Sequence, residues 1–509
     1  MNWKRMLCWL LTAALLCACA GLAAAEETPA GTAYVMAGFD DTSMRQWSTN
    51  RFFSRMQEKT GVQFTYRQYS DANAWTAYKA SLTATSDLPD VFFKASLTPA
   101  ECIDLLDQGV LIDLTPYLAD YAPNLWAILQ ERPDVKQAIT LPGGAIVALP
   151  YINTLPAQNY VWINQQWLDQ LHLDMPTTAE ELVNVLTAFK TRDPNRNGKQ
   201  DEIPLSFLGP FDLKFLGHAF GLVANDYNVF VDGDQVKFMP LEENYREFVT
   251  WCRDLYAEGL LDQNGFSSVD SFRQVTDSNA TPTYGAVLNL AASNLFRVSW
   301  ADQYAVMPPL YYDGAQVYRA FFGPVQRGTF AVTSACKSPE TMLSWVDQMY
   351  TEEGAILSSA GMENVDYVVD GDGTWRLLEA AQSGGTTFIA DTLLEGGASN
   401  PGITAAAFMR RFSGQSEMYL KNLDTQIAIQ DACVMPFPYV SLTKEQEKTI
   451  TELQNAIGAY VDIQLARWVL GEEEITDAAF DQFEQTLNEL GLPAFLTFWQ
   501  DVLEQQGGN

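Results

Sequence analysis

Histidine is nearly missing from this sequence: His172 and His218 are the only two in 509 residues. So thin an inventory argues against histidine-built zinc centres, Ser-His-Asp relays and histidine general bases. Basic residues are scarce too, 31 Lys and Arg against 63 Asp and Glu, for a formal net charge of −32. That balance argues against a nucleic-acid or other polyanion partner, because a phosphate backbone is bound by basic surface. The acidity itself is first a solubility property and dictates no fold. Of seven cysteines, three lie in the first twenty residues. The others, Cys102, Cys252, Cys336 and Cys433, are far apart with no Cys-x-x-Cys spacing, so no zinc motif is present. An even count in an exported chain permits disulfides, but buried thiols are expected in a domain this large. No tandem repeat is visible. Beyond the N-terminus, no run reaches the ~18 uninterrupted apolar residues that a membrane span needs.

What is present begins with MNWKRMLCWLLTAALLCACAGLAAAEE. Lys4 and Arg5 precede an apolar run over residues 6–16 that is too short to span a bilayer, the pattern of an export signal over residues 1–25. Two cleavage points compete. Ala23-Ala24-Ala25 is a small-residue site before Glu26. Leu16-Cys17-Ala18-Cys19 resembles a bacterial lipobox, with Cys19 as the lipidated residue and Cys17 unusual at its second position. The first reading gives a secreted protein; the second, which is favoured, gives one held to the outer face of the cytoplasmic membrane by a lipid anchor alone.

Hydrophobic residues make up 47% of the chain and aromatics 12%, enough for well-packed cores, and the length calls for two or three lobes. TAYVMAGF (32–39), VQFTYRQY (62–69) and DLPDVFFKA (87–95) read as strands. They alternate with helical segments at 49–61 and 73–86, a β-α-β-α-β opening of an α/β lobe with a largely parallel, doubly wound sheet. Around 145–165 two short extended runs flank a Pro-interrupted crossing, and a second crossing is suggested at 327–354. The expectation is a two-lobed α/β protein with hinge strands near 150–160 and 325–330 and a cleft between the lobes. Residues 33–153 plus about 326–365 form lobe one; residues 154–325 plus about 366–509 form lobe two. Thr178 with Glu181, and Thr443 with Gln446, have capping-box spacing and open helices at 176–192 and 443–471, the latter beginning a helical C-terminal tail.

The polar stretch DPNRNGKQDEIP (193–204) interrupts this pattern. Oxygen-bearing side chains fall at Asp193, Asn195, Asn197, Asp201 and Glu202, with the Lys199 carbonyl at the seventh position and Gly198 at the sixth. That is the ligand rhythm of an EF-hand loop, suited to a hard cation with six or seven oxygens. Pro204 stands where the usual twelfth-position Glu would be, so Glu202 is the substitute. A helix enters but an extended run leaves, which predicts a structural Ca²⁺ site, not a catalytic ion or a helix-loop-helix switch. Two further acidic turns, VDGDQV (231–236) and VDGDGTW (369–375), read as hairpins because Asp-Gly is a preferred two-residue turn.

WINQQWLDQLHLDMPTTAEELVNVLTAFKTRDPNRNGKQDEIPL resembles the signature of family 1 extracellular solute-binding proteins of ABC importers, in the lipoprotein and alginate-oligosaccharide-binding branch that carries a Ca²⁺ loop. EKTGVQFTY, SDLPDVFF, LIDLTPYLADYAPNL and SPETMLSWVDQMYTEEG extend the resemblance over roughly residues 33–500. It implies two lobes that close on a ligand, a permease partner and a monomer. Leu171-His172-Leu173 replaces the family's usual Gly-Leu-Gly. The charge of −32 fits poorly with an acidic sugar such as alginate unless the cleft is locally basic.

Sugar binding calls for aromatic faces with polar side chains beside them, beyond the carboxyl ends of strands. Loops after the candidate strands supply Asp41 and Trp47, then Asn73 and Trp75, then Lys94. Tyr151 lies at the first crossing, Phe211 and Asp212 follow IPLSF, and Asn289, Arg297 and Trp300 follow YGAVLNL. Each could equally be an ordinary core aromatic or solvated polar residue. A peptide ligand is the runner-up to an oligosaccharide. A receptor-linked sensor is another reading, and a glycosidase, which needs only two carboxylates at a set separation, is the enzyme alternative. No nucleophile elbow, phosphate loop or metal-catalytic spacing supports an enzyme.

Overall fold

The computed structural model describes residues 33–41, 46–153, 159–266, 281–320 and 325–506. Cys19 and the N-terminal leader lie outside the described residues. Ten strands build two main sheets: β1 (Tyr34–Phe39), β2 (Phe64–Tyr69), β3 (Val91–Phe93), β4 (Ala148–Ile152), β5 (Tyr160–Asn164), β6 (Ile203–Ser206), β7 (Tyr284–Asn289), β8 (Tyr304–Val306), β9 (Val325–Val332) and β10 (Gly402–Ile403). Lobe one holds the order β10-β4-β9-β3-β1-β2, and lobe two the order β8-β5-β7-β6.

The β-α-β-α-β opening forms through local chemistry. Asn50 accepts the Phe52 N–H at 2.8 Å to start the helix Arg51–Thr60, and Gly61, at φ 74°, ends it. Asp71 caps Ala72–Ser81 in the same way through Ala74. β1, β2 and β3 are parallel. The sheets are nevertheless mixed, not largely parallel. β9 runs antiparallel to both β3 and β4, and β5 antiparallel to β7 and β8. The reason is where the chain enters. β5 and β9 each begin directly after the chain has come over from the other lobe, so they start at the hinge edge, where β1, β3, β4, β6 and β7 end.

The third passage between the lobes follows β10. Gly402 pairs with Tyr151 and Ile403 with Ile152 in lobe one. The helix Glu417–Ala428 then lies on lobe two, where Asn422 bonds both Val306 N (2.8 Å) and Tyr304 O (2.9 Å). Residues 366–403 therefore pack with lobe one, contrary to the expected division. Arg55 meets Asp366 at 2.6 Å, and Trp375 stacks on Phe408 at 4.6 Å in a small core with Ala355 and Ala360. Both acidic Asp-Gly turns close hairpins, Val229–Asp232 with Gln235–Phe238 and Tyr367–Val369 with Trp375–Leu377.

Lobe one's core is built on Met36, Phe52, Phe93 and Trp345. The C-terminal helices Lys444–Val469, Asp477–Glu489 and Leu492–Gln506 cover lobe two, burying Leu465, Trp468, Phe495 and Trp499 with Phe189 and Phe248. Cys102, Cys252 and Cys336 are buried, Cys433 is half-buried, and all four are free thiols. Among the described residues no helix is long and apolar enough to cross a membrane.

Candidate functional site

The strand directions bring one edge of each sheet to the crossings. On lobe one that edge carries the residues after β1 and β3 and the end of β4; on lobe two it carries those after β6 and β7 and the start of β5. Most of the candidates from the sequence sit along these two edges, but their side chains divide into exposed groups and core groups.

At the lobe-one edge, Asp40 and Lys94 form an ion pair at 2.7 Å, with side chains 3% and 2% exposed. The second carboxylate oxygen of Asp40 accepts Trp47 Nε1–H at 2.8 Å, and Lys94 also donates to the Glu395 carbonyl at 2.9 Å. Burial outweighs the ion pair and pulls the Lys94 ammonium below its usual range. Trp47 is not an open stacking face. Its ring packs edge-on to Phe93 at 5.4 Å and against Phe53, in space that Gly38 provides: a Cβ there would fall 2.8 Å from the indole. Trp75 is likewise core, set between Tyr69 and Phe92. Asp41 and Asn73 are exposed. Tyr151 is half-buried, and its hydroxyl shares a hydrogen bond of 2.8 Å with Thr404.

At the lobe-two edge Phe211 is 40% exposed, and its ring meets Phe215 edge-on at 5.3 Å. Beside it Asp212 is buried, its two oxygens accepting from Asn159 Nδ2 and Leu208 N, each at 2.8 Å. Those bonds favour the carboxylate, yet desolvation prevails and pushes its pKa up to about 6. Asn289 is half-buried, bonding Asn294 through its side chain at 2.9 Å and Trp162 Nε1 through its carbonyl at 2.8 Å. Arg297 is exposed, with its guanidinium carbon 4.1 Å from the Trp300 ring centre, and Trp300 itself is buried. The expectation of three tryptophan faces is thus corrected: Trp47, Trp75 and Trp300 lie on helical turns after the strands and turn their rings into the cores, where each is at most 5% exposed.

The sequence reading missed Asn159, Arg319 and Glu395. Arg319 pairs with Asp226 and lies 5.0 Å over the Phe215 ring. Its place just before a crossing was the available signal. His218 is buried against Tyr318, donating through Nδ1 to the Phe215 carbonyl at 2.6 Å, and burial lowers its pKa to about 4. His172, at φ 56°, ends the helix Gln165–Leu171. Neither histidine stands at an open strand end.

Asp212 carries a pH test. Its pKa is above the ordinary 3.8 in the fold, so the ionised form is the costly one. Stability attached to the protonated group is complete at low pH and is lost as pH rises through about 6. Asp212→Asn should therefore match the parent near pH 4 and exceed it at pH 7 by ~1–3 kcal/mol. Urea unfolding at both pH values measures the difference; a constant offset would show that Asp212 does not titrate in this range.

The loop at 193–204 coils tightly on itself, with positive φ at Asp193 (46°), Arg196 (54°) and Gly198 (74°). Asp193 accepts the N–H groups of Asn197 and Gly198, both at 3.1 Å, and Asn195 Oδ1 accepts Asn197 N at 3.0 Å. Asn195 and Asn197 both donate to Asp201 Oδ1, which closes the loop. Both carboxylate oxygens of Glu202 are buried and have no hydrogen-bond partner. Burial, followed by the charges of Asp193 and Asp201, raises the Glu202 pKa. Among the described residues no cluster of three or more His, Cys, Asp or Glu side chains is assembled as a metal set. The oxygens along the loop come from three carboxylates, two side-chain amides and the Lys199 carbonyl, chemistry that suits a hard cation and not zinc.

Similarity to known proteins agrees with this architecture. A fructooligosaccharide ABC transporter substrate-binding protein, FusA of Streptococcus pneumoniae serotype 4, is 26% identical over 487 residues, covering 89% of this chain and 87% of FusA. The FusA structure in complex with kestose has a TM-score of 0.68 at 24% identity, covering 94% of this chain and 100% of that one. Another FusA structure is described as an EF-hand mutant in complex with fructo-nystose. An extracellular solute-binding protein from Bifidobacterium longum subsp. infantis gives a TM-score of 0.75 at 20% identity, covering 94% and 99%. The alginate-binding protein AlgQ2, in a form without calcium ion, gives 0.65 at 20% identity, covering 93% and 99%. Such matches, together with the two sheets, establish the two-lobed fold and agree with a binding protein and not an enzyme. Residues 26–356 fit the family model described as bacterial extracellular solute-binding protein, and this chain belongs to that family.

Proposed function

We propose that this protein captures an oligosaccharide between its lobes and delivers it to the permease of an ABC importer. What supports the reading is the placing of polar side chains at the strand ends beside the crossings on both lobes, with the 40% exposed Phe211 ring among them. Relatives that bind fructo-oligosaccharides support the ligand class. A ligand can shift an open–closed equilibrium only by touching both lobes in the closed state, which suits an extended glycan. Asp41, Asn73 and Tyr151 would serve from lobe one, and Asn289 and Arg297 from lobe two. Calorimetry against a panel of glycans and peptides tests the reading. Phe211→Ala should weaken glycan binding by ~1–3 kcal/mol, the worth of a buried aromatic side chain, and leave the fold intact. Turnover of a bound glycan would make the protein an enzyme, and binding of peptides alone would replace the ligand class.

Two further parts complete the proposal. Ca²⁺ is held by Asp193, Asn195, Asn197, the Lys199 carbonyl, Asp201 and Glu202, and serves structure only; the partnerless oxygens of Glu202 support it. The mature chain is a monomer tethered outside the membrane through Cys19. Intact-mass measurement of the native protein should show a diacylated N-terminal cysteine; a mature start at Glu26 would refute the anchor.

A further inference from the structure

In an α/β lobe the ligand is expected beyond the carboxyl ends of the strands. In lobe one a segment from far along the chain lies against the ends of β1 and β3. Loop 393–400 leaves the helix Glu379–Thr392 and leads into β10. Asn50, which opens the helix after β1, donates through Nδ2 to the Ala390 carbonyl at 3.0 Å and to the Leu393 carbonyl at 2.9 Å. Lys94, directly after β3, donates to the Glu395 carbonyl at 2.9 Å. Asn400 closes the loop from its other end, bonding the Glu395 and Gly397 carbonyls at 3.1 and 3.0 Å. Asn50, Lys94 and Asn400 are all buried, so each would be left with an unmet donor if the loop moved away.

Between these anchors the chain turns to the surface. Gly396 and Gly397 are exposed, at φ 84° and 45°, and a Cβ added to Gly397 would meet no described atom within 4 Å. Backbone without side chains lets another molecule come close to main-chain groups. The Glu395 and Asp41 carboxylates belong to the same end of the sheet. Burial lowers the Lys94 pKa, and the charges of Asp40, Glu395 and Asp41 act on it in the opposite sense.

We propose that loop 393–400 is the lobe-one wall of the ligand cleft, and that Asn50 and Lys94 are positioning residues that hold its exposed Gly396-Gly397 turn toward the bound glycan. This role rests on the capture reading above and adds a specificity element to it. Glycan hydroxyls are met on lobe one by main-chain groups of this turn, with Asp41 nearby, while Lys94 acts from beneath through the loop.

Calorimetry and hydrogen exchange on the full-length mature protein test it, with fructo-, gluco- and galacto-oligosaccharides as probes and the tightest binder among them carried forward. That glycan should slow exchange across 393–400 in the parent. Gly397→Asn places a side chain in open space on a residue type that tolerates positive φ. It should weaken binding of the same glycan at least ~10-fold, the scale of a local misfit in a binding pocket, with the melting temperature little changed. Asn50→Ser keeps an oxygen to cap the helix but is too short to bond both carbonyls. It should speed exchange across 393–400 in the ligand-free protein and weaken the same glycan. A glycan that binds without slowing exchange there, or that binds Gly397→Asn at full affinity, would overturn the loop's role and leave the capture reading standing. Binding of no glycan would overturn both.

Discussion

Lys94→Ala should cost ~3–5 kcal/mol of folding stability, the loss expected when one partner of a buried ion pair is removed and the other charge stays inside. Asp40 would still accept the Trp47 indole N–H at 2.8 Å, but its carboxylate, 3% exposed, would have lost its counter-charge. The pair itself is no net gain, because burial already pulls the Lys94 ammonium below its usual range. Replacing both charges should therefore recover most of the loss: Lys94→Met with Asp40→Asn keeps volume and an acceptor for Trp47. Urea denaturation of the parent, the single and the double variant gives the comparison. A loss below ~1 kcal/mol in the single variant would show that Asp40 is solvated in the folded state, as exposed pairs are. Ligand binding should fall with the single variant as well, since Trp47 packs on Phe93 and the loop after β3 would shift with it.

Chelation of Ca²⁺ should lower the melting temperature, by an amount set by mass action. At free Ca²⁺ a thousandfold above the dissociation constant, bound cation adds ~4 kcal/mol to the folded state. The source is local. Asp193, Asp201 and Glu202 place three carboxylates in one loop, and burial, with the charges of Asp193 and Asp201, raises the cost of ionising Glu202, whose oxygens have no partner. Asp193→Ala should remove the chelator effect, since this side chain also holds the loop through Asn197 and Gly198. Glycan affinity should move little, because the loop joins the helix Ala179–Thr191 to β6 inside one lobe. Unchanged melting with chelator, and no heat of Ca²⁺ binding, would leave a plain polar turn.

The opening β-α-β-α-β order is legible in the sequence because capping residues and apolar periodicity are local. Asn50, Asp71, Thr443 and Gly61 each announce a helix end by chemistry within three residues. The hairpins are legible through Asp-Gly in the same way. β10 is not: two residues cannot show alternation, and their partners in β4 lie far back in the chain, so the return of residues 366–403 to lobe one leaves no local trace. At the candidate site, position along the strand ends was readable but burial was not. Whether Trp47 faces the cleft or the core depends on the space beside Gly38 and on Asp40 as an acceptor, both set by packing. The Asp40–Lys94 pair was hidden for a related reason: neither residue alone indicates that the ends of β1 and β3 will press their charges together.

β9 holds the middle of lobe one's sheet, between β3 and β4, although it is made from residues 325–332, long after both of its neighbours and after the whole first part of lobe two. As the chain emerges from its N-terminus, β1–β3 and β4 have no strand to join them until β9 arrives. Lobe one then cannot close as a unit during synthesis, and the gap in its sheet is filled only by contacts of long sequence separation, the slow kind to form. A chain that must pass an export channel unfolded gains from such an order of assembly: its N-terminal half has no completed lobe to unravel before it crosses.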